Sequence, residues 1–280
     1  LIHLRAGSSE AMLLPHLGGA IGSFSVAGRA VLRPTASAAA HPLDSASFPL
    51  VPYCNRIARG RFTFDGEDHA LPRNVPEFAH PLHGLGWLKT WTVDRQTVDS
   101  ALLSCTHEAD ADWPWDWSAT QHFMLEDGAL RVTLDAVNRS SRPMPCGLGH
   151  HPYLVRRPGA VLAFTAKGVW RNDADDLPVE AMPADSFGDF AKGAEPQGAG
   201  MIDNCWHGWD GTATWDKTII VSSPEARYLH VFAPPGKDFI CLEPTSQMPD
   251  AVNRPPFAAA GGRVLSAGAT QRLAMEIRVR

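Results

Sequence analysis

The 280-residue chain predicts an all-β protein, a sandwich or barrel of many short strands. Three observations carry that prediction. Apolar and polar residues alternate with period two along much of the chain. Turn formers are abundant, with 24 glycines and 23 prolines. No apolar stripe with helical spacing extends over about twelve residues or more.

In chain order, "RFTFDGEDHAL" (61–71) reads as strand, Asp-Gly turn, strand. "SATQHFMLEDGALRVTLDAVN" (118–138) is the clearest hairpin. Its second arm sets Leu130, Val132, Leu134 and Ala136 against Arg131, Thr133 and Asp135. "KTIIVSS", "RYLHVFA" and "DFICLEP" are short strand candidates. The terminal "RLAMEIRVR" alternates Leu273, Met275, Ile277 and Val279 with Ala274, Glu276 and Arg278. "ADSFGDFAKGA" (184–194) is the one candidate for a short helix. "RPPFAAAGGRVLSAGA" (254–269) reads as a loop. The length suits one large all-β domain or two ordinary ones. No repeat, low-complexity tract or linker divides the chain, so one domain over 1–280 is expected.

Composition narrows the function. Hydrophobic content of 44% and charged content of 20% describe a globular protein. A net charge of −5, with no Lys/Arg run, argues against a nucleic-acid footprint. No apolar run reaches the roughly 18 residues of a membrane helix. "LIHLRAGSSE" does not resemble a signal peptide. The five cysteines (54, 105, 146, 205, 241) are scattered and form no C-x-x-C pair. Free, buried thiols in a reducing cytosol fit them, so a cytoplasmic location is expected.

Chemistry concentrates in five short segments that are polar at the centre and flanked by Gly, Pro or aromatics: "PYCNRIARGRF" (52–62), "HPLHGLGW" (80–87), "GHHPYL" (149–154), "MIDNCWHGWDG" (201–211) and "CLEPTSQMPDAVN" (241–253). The paired His150 and His151 point to opposite faces if the backbone is extended, and Pro152 biases His151 toward extended geometry. Glu243 is the acidic residue of an otherwise apolar strand end. Burial there would raise its pKa from about 4.3 and make it a better base near neutrality. His151 can exchange a proton near pH 7. Taken singly, each has an ordinary alternative: a salt bridge for Glu243, a surface ion pair for Arg56, and a loop histidine bonded to a carbonyl for His83. No H-E-x-x-H or paired Cys/His spacing suggests a metal. Tryptophans 113, 115, 117, 206 and 209 belong mostly to the core, with one or two expected to line a cleft, where flat rings stack on sugar C–H faces.

The ordered series "NRIARGRF", "LHGLGW", "DWPWDWSATQHFML", "GLGHHPYL", "DNCW" and "LEPTSQMPDAVN" resembles the aldose 1-epimerase (galactose mutarotase) family, from about residue 10 to the C-terminus. The resemblance implies a large, mostly antiparallel β-sandwich of the galactose mutarotase type with one open sugar cleft. Carried over by motif, Glu243 resembles the family's general base and His151 its general acid. His83 resembles the second histidine near the ring oxygen. Asn55, Arg56 and Asp203 resemble the residues that hold sugar hydroxyls. No role follows for His150. The implied reaction interconverts the α and β anomers of a free aldose. It needs no metal or redox cofactor, and its only implied partner is the sugar; the sequence gives no sign of oligomeric state. Three rivals stand beside this reading. One is a hexose-6-phosphate mutarotase, with Arg59, Arg61 and Lys89 as candidate phosphate ligands. Another is a non-catalytic carbohydrate-binding protein. The third is a glycosidase using Asp203 and Glu243 as its two carboxylates.

Overall fold

The computed structural model describes residues 1–36, 38–196 and 200–280. Among them there is no α-helix, only four short 3₁₀ turns and 24 strands. Among these described residues no helix is long and apolar enough to cross a membrane. The expected hairpins are present, Arg61–Phe64 with Glu67–Ala70 and Trp117–Glu126 with Ala129–Asn138.

Two eight-stranded sheets dominate. One runs Leu162–Phe164, Thr212–Trp215, Ile219–Ser222, Thr270–Val279, Ala129–Asn138, Trp117–Glu126, Ser100–His107, Thr92–Gln96. The other, the site sheet, runs Pro178–Pro183, Gly168–Asn172, Ile202–His207, Tyr228–Ala233, Phe239–Thr245, Gly149–His150, Pro49–Leu50. Tyr153–Val155 pairs beside Phe239–Thr245. The ladders of both sheets are antiparallel. A four-stranded sheet formed by residues 2–30 flanks them.

One apolar cluster unites the two large sheets. Trp117, Phe123, Leu134 and Met275 from the first share it with Val169, Trp206, Leu229, Val231 and Leu242 from the second. The sandwich implied by the family resemblance is therefore the architecture, and its core lies between the sheets.

Period two then decides what the outer face of the site sheet carries. On Tyr228–Ala233, Leu229, Val231 and Ala233 enter the shared core, which leaves His230 and Phe232 on the other face. On Phe239–Thr245, Ile240 and Leu242 are core, leaving Cys241 and Glu243. On Ile202–His207, Ile202 and Trp206 are core, leaving Asp203 and Cys205. The register aligns Cys205, His230 and Glu243 in one row across three strands, with Asp203, Phe232 and Cys241 in the next.

Three expectations are corrected. Within 254–269, read as a loop, Arg263–Leu265 is a strand, because it finds an antiparallel partner in Met144–Cys146. The stretch 184–194 is a series of turns, not a helix. Gly188 sits at φ 138°, and Phe187 and Phe190 fold back onto the Trp206 ring at 6.0 and 5.7 Å. Tertiary burial of those rings outweighs any local helical tendency. The third correction concerns the tryptophans: 113, 115, 117, 206 and 209 are all buried in the core.

Candidate active site

A cleft of about 230 Å³ opens on the outer face of the site sheet. Its lining includes Asn55, Arg56, His83, His151, Asp203 and Glu243, so the six residues singled out by motif come together in one place. His230 and Asp176 complete the polar lining, which sequence reasoning missed. Leu43, Phe78, Leu82, Tyr153, Met201 and Phe232 supply the apolar part. Among the described residues no tryptophan lines this cleft; the flat faces belong to Phe78, Tyr153 and Phe232.

Glu243 and His230 stand on the sheet, and the other groups arrive on loops. The Asn55–Arg56 and Leu82–Gly84 segments lock together. Asn55 and His83 both adopt left-handed backbone, φ 58° and 59°. The His83 N–H donates to the Asn55 carbonyl at 2.9 Å, and the Asn55 N–H donates to Nδ1 of His83 at 3.2 Å. A backbone N–H can only donate, so Nδ1 is unprotonated and the neutral ring carries its proton on Nε2. Asn74 holds the second loop, donating to the carbonyls of Leu82 and Gly84 (2.7 and 2.9 Å) and accepting the Leu82 N–H (2.8 Å). Gly84 explains the "HG" of its motif: at φ 71°, a Cβ there would lie 2.2 Å from the Val51 carbonyl oxygen. The tail of "LEPTSQMPDAVN" supports the first loop. Asp250 accepts the Ala58 N–H at 2.9 Å, and its own N–H donates to the Arg56 carbonyl at 2.8 Å.

His151 is sandwiched. Phe48 stacks on its ring at 4.6 Å and Tyr153 at 4.8 Å. Its Nε2 lies 3.2 Å from Oε1 of Glu243. Among the described residues, Oε2 of Glu243 is buried with no hydrogen-bond partner. His150 is just as buried but outside the cleft, its ring meeting the Leu273 backbone.

Arg56 is held by three acceptors. Its Nη1 donates to Oδ1 of Asn55 at 3.3 Å, and its Nη2 lies 3.0 Å from Asp176 and 3.5 Å from Asp203. Asp203 in turn faces Nε2 of His230 at 2.6 Å.

Burial sets the protonation of these groups, modified by neighbours. Desolvation raises Glu243 to about 8, against the opposing pull of His230. Desolvation lowers His151 to about 3, helped by the charge of His230. His83 is held well below its ordinary value by burial, with His151 and Arg56 adding to it. His230 goes the other way. Burial alone would strip its proton, but Glu243 and Asp203 outweigh it and raise the ring well above its ordinary value. For Asp203, burial is the largest single influence and would raise the carboxyl, but the His230 hydrogen bond together with the charges of His230 and Arg56 outweighs it, and the carboxyl falls below its ordinary value.

Ligand atoms of His83, His151 and Glu243 all lie within 4.8 Å of one another, a span that a divalent ion could bridge and that short-range spacing could not reveal. The donor set does not fit. A metal-ligating nitrogen must be unprotonated, whereas His83 has Nδ1 committed to the Asn55 N–H and a proton on Nε2. The arrangement suits proton exchange with a small polyhydroxylated molecule.

Comparison with known proteins places the fold and sequence in one group. The sequence pattern of a family described as aldose 1-epimerase matches residues 1–278. The uncharacterised protein YphB of Escherichia coli K12 is 32% identical over 228 residues, covering 76% of this chain and 77% of that protein. A crystal structure of an Escherichia coli K12 protein proposed to be an aldose 1-epimerase superimposes with a TM-score of 0.91 at 30% identity, over 99% of this chain and 98% of that one. A galactose mutarotase-like protein from Clostridium acetobutylicum shares the fold, with a TM-score of 0.84 at 20% identity over 99% and 94% of the two chains. With its match running from end to end of the described sandwich, the chain belongs to the aldose 1-epimerase family.

Proposed function

We propose that the protein interconverts the α and β anomers of a neutral, unphosphorylated aldose, with Glu243 and His151 as its acid/base pair. The observation that carries this reading is their 3.2 Å contact at the buried floor of a cleft lined with hydroxyl-binding groups. The cleft volume of about 230 Å³ lies below the roughly 300–1,000 Å³ of sites for drug-sized ligands, which favours one small ring.

Ring opening needs one base and one acid. The base takes the proton of the C1 hydroxyl while the acid protonates the ring oxygen, and the bond between C1 and that oxygen breaks. The aldehyde rotates, and closure on its other face returns both protons. Opening by a Glu243 carboxylate and a His151 imidazolium leaves a Glu243 carboxylic acid and a neutral imidazole. Burial favours this second state in the free protein, so at neutral pH the pair rests in the form that closure requires. One proton crossing the contact produces the form that opening requires. The pair thus works with one proton between its members, and each positioned group contributes about 10²–10⁴-fold.

His83 suits hydrogen-bond donation from Nε2 to the ring oxygen or a neighbouring hydroxyl. Asn55, Arg56 and Asp203 suit the remaining hydroxyls, and fixing the ring against the pair supplies the orientation.

The lining charge supports a neutral substrate. Arg56 is its only Lys or Arg among the described residues, and two carboxylates already share it. A phosphate ester would have to displace them beside Glu243. Arg59, Arg61 and Lys89 do not line the cleft. The glycosidase reading weakens too, because Asp203 is tied to Arg56 and His230 and is not a free second carboxyl. The test is polarimetry on freshly dissolved α-anomers of glucose, galactose and pentoses, run beside the 6-phosphates of the two hexoses. Accelerated mutarotation of a free sugar is expected. A more than tenfold preference in kcat/KM for a phosphate ester would overturn the substrate assignment.

A further inference from the structure

We propose that His230 is a positioning residue of this site: held as an imidazolium by Asp203, it fixes that carboxylate and places a buried positive charge beside the Glu243 carboxyl. The inference rests on the acid/base reading of Glu243 and His151 and adds a residue that none of the motifs contains.

The register carries it first. His230 is the direct cross-strand partner of Glu243 on the ladder between Tyr228–Ala233 and Phe239–Thr245. Directly opposed side chains on one sheet face have Cβ atoms about 4.5–5.5 Å apart. The pairing is therefore fixed by backbone hydrogen bonds and does not depend on a loop.

The second support is the partner on the other side. Nε2 of His230 meets Oδ1 of Asp203 at 2.6 Å, while Oδ2 of Asp203 faces Arg56 at 3.5 Å. Both oxygens of Asp203 are thus aimed by cations. The His230 side chain is 3% exposed, so neither water nor salt screens it.

The groups around the ring balance in favour of charge. From Ile202–His207 come Asp203 and the Cys205 thiol; from Phe239–Thr245 comes Glu243. His151 and His83, both kept neutral by burial, face it from their loops, and Arg56 lies beyond Asp203. The ionised Asp203 carboxylate touches the ring at 2.6 Å while Arg56 lies beyond it, a balance that favours a proton on both ring nitrogens, and Glu243 adds to it once it ionises.

A charge there acts on the catalytic pair. It favours the ionised form of Glu243, so it lowers the pH at which the pair gives up its single proton. Without it, that proton would be held to higher pH. The sugar hydroxyls that Asp203 would hold would also lose their fixed acceptor.

Two experiments test this. Histidine side-chain NMR of the ¹⁵N-labelled wild-type protein reads the ring directly. His230 should be protonated on both nitrogens at pH 7, with His83 and His151 neutral. A neutral His230 at pH 7 overturns the proposal. The second experiment follows kcat/KM for anomerisation against pH in wild type, His230→Gln and His230→Lys. Loss of the charge in His230→Gln should move the alkaline limb up by about one pH unit or more and raise KM, while His230→Lys should leave the limb nearer its wild-type position. An unmoved limb in a folded, active His230→Gln protein also overturns it. If the wild type does not anomerise sugars, the functional reading falls, and the NMR result alone decides the charge of His230. If neither variant folds, the NMR result decides it again.

Discussion

His151 and Glu243, from segments far apart in the chain, meet at 3.2 Å in a floor so dry that the carboxyl is pushed up to about 8 and the imidazole down to about 3. Each group is displaced toward its neutral form, and the contact lets one proton serve both.

That shared proton shapes the pH profile. The free protein's pair carries one proton between the lower and the higher of these two values. Plots of kcat/KM should therefore be flat through neutrality and fall as pH rises past about 8, where Glu243 ionises with His151 already neutral. A profile that instead rises through pH 7–9 would show that the active form has no shared proton.

The two adjacent histidines should separate by phenotype. His151→Ala removes a ring from the cleft, so kcat should fall by about 10² or more. His150→Ala removes a ring buried outside the cleft, so stability should fall while kcat in the folded fraction stays near wild type. Equal loss of kcat in two well-folded variants would contradict the division.

Acid stability should depend on His150. Burial lowers its imidazole from 6.5 to about 4. The folded-state value is depressed, so this contribution is present above pH 6.5 and is lost as pH falls toward 4, where the unfolded chain binds the proton first. The loss is on the order of 3 kcal/mol. Urea unfolding between pH 7 and 4 should be less pH-dependent in His150→Asn than in wild type. Identical slopes would count against the assignment.

Asn74 provides a test of the loop support. Asn74→Ala removes three hydrogen bonds to Leu82 and Gly84, at a cost of about 1–3 kcal/mol. The His83 loop should loosen, raising KM and lowering kcat. Unchanged kinetics would mean that the left-handed conformation of His83 holds without it.

Much of the fold and of the site is legible in the sequence, for physical reasons. Strands that alternate strictly, such as Ala129–Asn138 and Thr270–Val279, bury one face and leave one wet, and the code for that is local. Glu243 stands out because a carboxyl in an apolar strand is rare. The motif series gathers Asn55, Arg56, His83 and Asp203, whose roles remain part of the proposal.

The illegible part depends on register and on contact between distant segments. His230 in "RYLHVFA" alternates with the core residues Leu229, Val231 and Ala233 but shares its phase with Tyr228 and Phe232, so its strand gives only a weak local signal. Nothing local says that its strand pairs with Glu243 in that register. Asp176 lies on a turn that reaches Arg56 only in three dimensions. The tryptophans mislead because their size suits either a core or a sugar platform, and here the space between the sheets takes those of the DWPWDW segment, while smaller rings line the cleft. The segment 184–194 misleads because Phe187 and Phe190 are drawn onto Trp206.

The most direct test of the central claim is polarimetry with Glu243→Gln. Glutamine keeps the shape of the side chain but cannot exchange the proton, so kcat for sugar anomerisation should fall at least ~10²-fold. The variant should remain folded. The folded-state value of Glu243 is raised above its unfolded value of 4.5, so wild type loses stability as pH rises toward about 8, and the glutamine does not share that loss. Mutarotation slowed a hundredfold or more in a protein that unfolds cooperatively at or above the wild-type denaturant midpoint is the predicted result. Near-wild-type mutarotation by the same variant would contradict the account.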